Sequence, residues 1–150
     1  MKSEGLIARA ETKIHVPVAR VWEAFINPKI IKTYMFGTDV ISEWKKDSPI
    51  VWKGEWKGKP YEDKGKIINI DPNKRLQYTH FSPLSGKADI LENYHTVTIE
   101  MNSDQEETRI SLSQDKNESE GELKESQRNW QMMLDSLKSI LEKDRLEELN

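Results

Sequence analysis

The apolar positions of this chain change their spacing three times, and each change marks a new kind of element. Between Leu6 and Val16 they alternate loosely, with Ile14 and Val16 on one side, as a half-buried strand requires. Pro17 ends that strand and suits the first position of a helix, where its missing N–H costs nothing. Val18, Val21, Trp22 and Phe25 then recur at helical steps and predict a short amphipathic helix. Asn27-Pro28 closes it and caps a second short helix, whose apolar side is Ile30, Ile31 and Tyr34.

From about Asp39 to Asp115 the period is two. Ile50, Trp52 and Trp56 fall on one face, with Lys53, Glu55 and Lys57 on the other. Lys57-Gly58-Lys59-Pro60 and Asp71-Pro72-Asn73-Lys74 read as turns, bracketing a strand through Gly65 to Ile70. Leu76, Tyr78 and His80 share a face of the next strand, and His95, Val97, Ile99 and Met101 share one after that. Ser103 to Glu106 is a polar turn, and Ile110 and Leu112 continue the alternation. Ser82 to Asn93 breaks the rhythm as a longer connection, a type of segment that includes both lids and plain connectors.

At Ser119 the period becomes helical again. Ser119 and Glu122 have capping-box spacing. Trp130, Met133, Leu134, Leu137, Ile140 and Leu141 then form one broad stripe on a helix from about Ser119 to Lys143. Glu142 to Asn150 is a charged stretch that frays or carries the helix into solvent. The order is strand, two short helices, about six further strands and one long helix. A twisted antiparallel sheet of six to seven strands has one apolar face, and only the long helix can cover it. The prediction is a single α+β domain over residues 1–150 that grips its C-terminal helix.

Composition narrows the roles open to such a domain. The 150 residues are 33% charged and 35% hydrophobic, with five tryptophans and a net charge of −3. No basic stretch interleaved with aromatics is present, which argues against nucleic-acid binding. No run reaches the ~20 apolar residues that span a bilayer, and the first residues hold no apolar core for a signal peptide. The expectation is a cytoplasmic protein, monomeric or weakly dimeric. The chain has no cysteine, so disulfides, thiolate nucleophiles and Cys-ligated metals are excluded.

Three strings carry a resemblance. Ile14-His15-Val16-Pro17-Val18-Ala19-Arg20-Val21-Trp22-Glu23-Ala24-Phe25, Gly65-Lys66-Ile67-Ile68-Asn69-Ile70-Asp71-Pro72 with Arg75-Leu76, and Trp130 with Leu134, Leu137 and Leu141 resemble the opening motif, central hairpin and closing helix of the helix-grip superfamily. That superfamily includes the birch-pollen allergen, START lipid-transfer domains and aromatase/cyclases. The branch named for the activator of the heat-shock-protein-90 ATPase is the most similar, although Tyr34 stands where a tryptophan is common there. The resemblance implies the helix-grip fold and a hydrophobic cavity between sheet and helix.

The residues themselves place the candidate chemistry in that same space. Trp52, Trp56, Tyr78 and Trp130, with Val97, Ile99, Met133, Leu134 and Leu137, either line a pocket for a flat apolar ligand or fill the space outright. A dry pocket of ~300 Å3 would cost about 7 kcal/mol at ~24 cal/mol per Å3, against a total stability of ~5–15 kcal/mol. Any large pocket must therefore be wet, occupied or narrowed by these side chains. His80 and His95 are either polar anchors, an acid/base pair, or partly buried rings satisfied by backbone. No Gly-x-Ser-x-Gly motif or triad spacing is present, and no third ligand accompanies the two histidines for a catalytic zinc. No catalytic residue, metal or cofactor is expected. The leading expectation is a non-enzymatic binder of a small hydrophobic or aromatic molecule. The alternatives are a co-chaperone-like partner of another protein and, third, a cyclase- or hydrolase-like enzyme using His80, His95 and Tyr78.

Overall fold

Seven antiparallel strands form one curved sheet whose order follows the hairpins in the chain. The computed structural model describes residues 6–149, without the side chains of Trp56 and Leu149; Met1 to Gly5, read above for a targeting signal, lie outside it. The elements are β1 (Leu6–Ile14), α1 (Val18–Ile26), α2 (Pro28–Tyr34), β2 (Asp39–Ser42), β3 (Pro49–Trp56), β4 (Lys59–Asp71), β5 (Arg75–His80), β6 (His95–Asp104), β7 (Glu107–Asn117) and α3 (Glu120–Leu149). Across the sheet they run β1-β7-β6-β5-β4-β3-β2. The first strand thus closes onto the last, and α1 and α2 carry the chain from one sheet edge to the other. This is the helix-grip architecture.

Local chemistry explains the turns. Lys57 and Gly58 both have positive φ, 51° and 80°, between the paired residues Trp56 and Lys59. That is the primed two-residue hairpin whose twist matches the flanking strands. Asn73 takes the left-handed conformation (φ 67°) after Pro72, closing the β4–β5 turn. Gly65 is required for a different reason: a Cβ there would stand 1.6 Å from the Thr79 carbonyl oxygen. Pro17 sits one position earlier than the sequence pattern suggests. It is the N-cap of α1, with extended backbone (ψ 150°), and Val18 begins the helix. Asn27 caps α2 as expected, accepting the Lys29 N–H at 3.0 Å.

The concave face of the sheet carries the core. Ala10, Ile14, Ile50, Trp52, Ile67, Leu76, Tyr78, Val97, Ile99, Met101, Ile110 and Leu112 are buried there, and Met133, Leu134, Leu137 and Leu141 of α3 are buried with them. Ser119 Oγ accepts the Glu122 N–H at 3.1 Å at the start of the helix. Asn117 is a buried polar joint: its amide donates to the carbonyls of Leu6 and Gln114, and its oxygen accepts from Ser126. It ties β1, β7 and α3 together.

Helix α3 does more than cover the face. β1 is an edge strand, and its outward backbone groups at alternate residues meet polar side chains of α3. Arg9 N–H donates to Gln127, Gln131 donates to the Glu11 carbonyl, and Lys138 donates to the Lys13 carbonyl. The His15 N–H donates to Glu142, while Arg145 donates to the His15 carbonyl. An unpaired strand edge invites foreign pairing, and here the helix occupies it. The charged end is consequently not frayed. The helix continues past Lys143 to Leu149, held by Arg145–Glu106 at 2.9 Å and Arg20–Glu148 at 2.8 Å.

Two measurements test this account. Leu134→Ala removes a fully buried contact and should cost about 3–5 kcal/mol in chemical denaturation; a loss under about 1 kcal/mol would show that α3 is not the principal cover. Glu142 lies below its ordinary value of 4.5. Burial, the largest influence, pushes it up, but the Lys138 ammonium, the His15 N–H and the charges of both outweigh it. A lowered carboxylate stabilises above its unfolded value and stops doing so as pH falls through its folded one. The melting temperature of wild type should therefore drop more steeply below about pH 4.5 than that of Glu142→Gln, with parallel profiles counting against the clasp.

Candidate functional site

Strand parity sets which side chains meet inside the grip. On β3 Trp52 points inward; on β5 Leu76, Tyr78 and His80 do. The Trp52 ring lies 5.2 Å from Tyr78 and, edge-on, 5.0 Å from His80. Burial pushes the Tyr78 hydroxyl well above the usual tyrosine range, and that of Tyr34 likewise. Tyr34, in the position where the related branch commonly has tryptophan, donates to the Ala24 carbonyl at 2.7 Å and meets Phe25 edge-on.

These rings leave little room. The innermost space, bordered by Trp52, Tyr78, Ile99, Trp130 and Met133 together with Trp44, has a volume of about 20 Å3, enough for about one water molecule. Trp44 packs against the core and borders this space. Val97, Leu134 and Leu137 are fully buried in the core beside it. Trp56 lies outside the described side chains.

The two histidines are cross-strand partners, yet they bond in opposite directions. His80 Nε2 meets Asp63 Oδ2 on β4 at 2.8 Å, and His95 Nδ1 donates to the Asp115 carbonyl on β7 at 2.9 Å. Among the described residues, neither ring has a hydroxyl within hydrogen-bonding distance. A carboxylate–imidazole pair can hold one ring tautomer, but no nucleophile stands beside it. Nor does any group of three or more His, Asp or Glu among the described residues stand as a metal site.

A larger space opens at the mouth of the grip. A cleft of about 560 Å3 lies between the turn after α2, the ends of β3 and β4, the connection after β5 and the first half of α3. That is within the ~300–1,000 Å3 typical of small-molecule sites. Phe36, Leu84 and Met132 form its rim and are 68%, 61% and 47% exposed. A few polar groups are placed on its inner wall. Tyr61 and Thr38 hydroxyls pair at 2.7 Å, the Trp130 indole N–H donates to Gln114, and Asp63 stands beside them. Met35, Trp130 and Met133 border both this cleft and the inner space, so three side chains separate the two. A still larger open depression of about 740 Å3 runs past His15, Glu106, Glu107, Glu142 and Arg145. Those groups bond to one another and to backbone as the clasp of α3, so this depression is part of the fold's fastening.

Phe36, Leu84 and Met132 are not legible as site residues from periodicity, whereas Asp63 and Tyr61 lie on a periodic face. Phe36 and Leu84 sit in connections, and Met132 lies off the helix stripe. Asp63 had a signal: counting back by twos from buried Ile67 gives Gly65, Asp63 and Tyr61 on the inward face.

A family model described as Activator of Hsp90 ATPase homolog 1-like protein matches residues 15–142. The solution structure of ChR145 from Cytophaga hutchinsonii is 53% identical, with a TM-score of 0.84, over 95% of this chain and 98% of that one. CalU16 from Micromonospora echinospora shares 19% identity at a TM-score of 0.70, over 91% of this chain and 81% of that one. The solution structure of the Aha1 dimer from Colwellia psychrerythraea shares 16% at 0.72, over 91% and 96%. The last two likenesses concern the fold alone. No curated protein matches the chain. No helix among the described residues is long and apolar enough to cross a membrane.

If Trp130 is the partition between the two spaces, Trp130→Ala should join them. The variant should lose about 3 kcal/mol of stability and raise the emission of the neutral dye Nile red several-fold over wild type. Unchanged emission in a folded variant would count against the partition.

Proposed function

This chain belongs to the Activator of Hsp90 ATPase homolog 1-like family, and we propose that it is a binding module that holds a small, largely apolar molecule at the mouth of the grip. The observation that carries this reading is the exposed rim of Phe36, Leu84 and Met132 around a cleft of about 560 Å3. Exposed apolar side chains gathered round one concavity carry a free-energy cost in water that a bound ligand relieves. Sites for small molecules have this composition, apolar walls with a few placed polar groups. Met132, Met133 and Met35 add adaptability, because an unbranched thioether repacks readily. The deep candidates Trp52, Tyr78 and Ile99 then act as the floor, with Trp130 and Met133 as the movable layer above it.

A second reading follows from the family's name and from the dimeric Colwellia relative: the same rim is a contact for another protein, a chaperone or a second copy of this chain. Both readings use the same apolar side chains. They differ in the size of the occupant.

Thermal-shift measurement against a library of apolar metabolites separates them, supported by native mass spectrometry of the purified protein. A ligand at a hundredfold excess over its dissociation constant stabilises by ~2.7 kcal/mol, which is roughly 5–10 °C for a domain of this size. Leu84→Asp should abolish the shift and leave the unliganded melting temperature within about 1–2 °C, as for surface substitutions generally. No shift across the library, together with a change in a chaperone's ATPase rate or a concentration-dependent dimer in sedimentation, would overturn the small-molecule reading in favour of the second.

A further inference from the structure

The charges around the cleft are all of one sign. Glu55, Asp63 and Glu125 line it, and among its described lining residues there is no lysine or arginine. This is notable in a chain whose basic and acidic residues are nearly balanced, 23 against 26. Elsewhere on the surface, acids meet lysines at close range, as in Lys53–Glu62, Lys66–Asp47 and Lys32–Asp39. At the cleft none of the three carboxylates has such a partner among the described residues.

Asp63 differs from the other two. Its side chain is only 15% exposed and projects from the concave face, opposite Trp52 in register. One oxygen bonds His80; the other, Oδ1, is buried with no protein donor. A carboxylate out of water whose one partner is the His80 ring has acceptor capacity to spare on Oδ1, and a cationic donor would fill it. Trp130 presents an aromatic surface on the same cleft, and indole is the aromatic most attractive to cations. Anions meet the opposite conditions: three acidic side chains, and no lysine or arginine among the described lining residues to receive a carboxylate or phosphate.

We infer that the cleft selects apolar molecules bearing a cationic amine and rejects their carboxylate counterparts, with Asp63 as the specificity-determining group. The inference rests on the small-molecule reading of the cleft and adds the charge of the ligand to it. The hydrocarbon part lies against Phe36, Leu84 and Met132, and the ammonium sits inside, toward Asp63 and the Trp130 ring.

Three probes of one shape test it: phenylbutylamine, phenylbutanol and phenylbutyrate, titrated into the full chain by calorimetry at neutral pH and low salt. The amine should bind about tenfold tighter than the alcohol, as a charge-assisted contact gives, and the carboxylate should bind more weakly than either. Asp63→Asn should lower the amine's affinity to that of the alcohol and so close the gap between them. Should Asp63→Asn fail to fold, the exposed pair Glu55→Gln and Glu125→Gln serves instead, and should narrow the gap between amine and alcohol. Equal binding of amine and alcohol by wild type, or an unchanged gap in the variants, would overturn the charge selection and leave the cleft as a neutral apolar site. Absence of binding by all three would overturn it together with the small-molecule reading.

Discussion

One helix has to serve a whole sheet. Seven strands present a single apolar face, and among the described residues α3 is the only element long enough to cross it: 30 residues, about 45 Å of helix. The same helix lies along β1, the strand whose outer edge would otherwise be open. Its buried stripe of Met133, Leu134, Leu137 and Leu141 faces the core, while Gln127, Gln131 and Lys138 reach the β1 backbone and Glu142 and Arg145 reach that of His15 just beyond it. The apolar stripe and the polar flank are separate sides of one amphipathic cylinder. That pairing explains why a run of charges at the end of the chain stays helical. Those charges answer backbone groups of His15, just past β1, and of the β6–β7 turn, rather than water alone.

A filled interior moves the question of function outward. Trp52, Tyr78, Trp130 and Met133 occupy the space in which a grip fold could hold a ligand, and only about 20 Å3 remains. A dry cavity of several hundred cubic ångströms would use up much of the stability of a domain this size. An open cleft carries no such cost, because water fills it until something displaces the water. The site at the mouth is thus compatible with a well-packed core, and the layer of Trp130, Met133 and Met35 lies between the two.

Family membership and site geometry supply different things. The match over residues 15–142 and the 53% identity to ChR145 place the chain in its family and its fold. Activity does not follow from either, since one fold hosts many functions. The His80–His95 pair shows why geometry matters. Adjacent in register and alike in type, the two rings are turned apart by Asp63 on one side and the Asp115 carbonyl on the other. The cleft, with its apolar rim and acidic lining, is a property of this chain's own residues.

What the sequence determined by itself is everything that depends on period and on local turn chemistry. Alternation at Ile50 and Trp52, and at Val97, Ile99 and Met101, gave the inward faces. Helical steps from Trp130 to Leu141 gave the covering stripe, and Asn27, Ser119 and the Lys57-Gly58 turn marked where elements begin and end. These are short-range constraints, set by backbone geometry within a few residues. Tertiary structure alone decided the rest. The clasp joins residues more than a hundred positions apart, such as His15 with Glu142 and Lys13 with Lys138. The cleft is assembled from the turn after α2, two strand ends, a connecting loop and the off-stripe side of α3. Phe36, Leu84 and Met132 belong to no common periodic pattern, because a rim is defined by where the elements stop covering one another. The single-signed charge of the cleft is of the same kind: an overall balance of acids and bases carries no information about which of them the fold brings to one concavity.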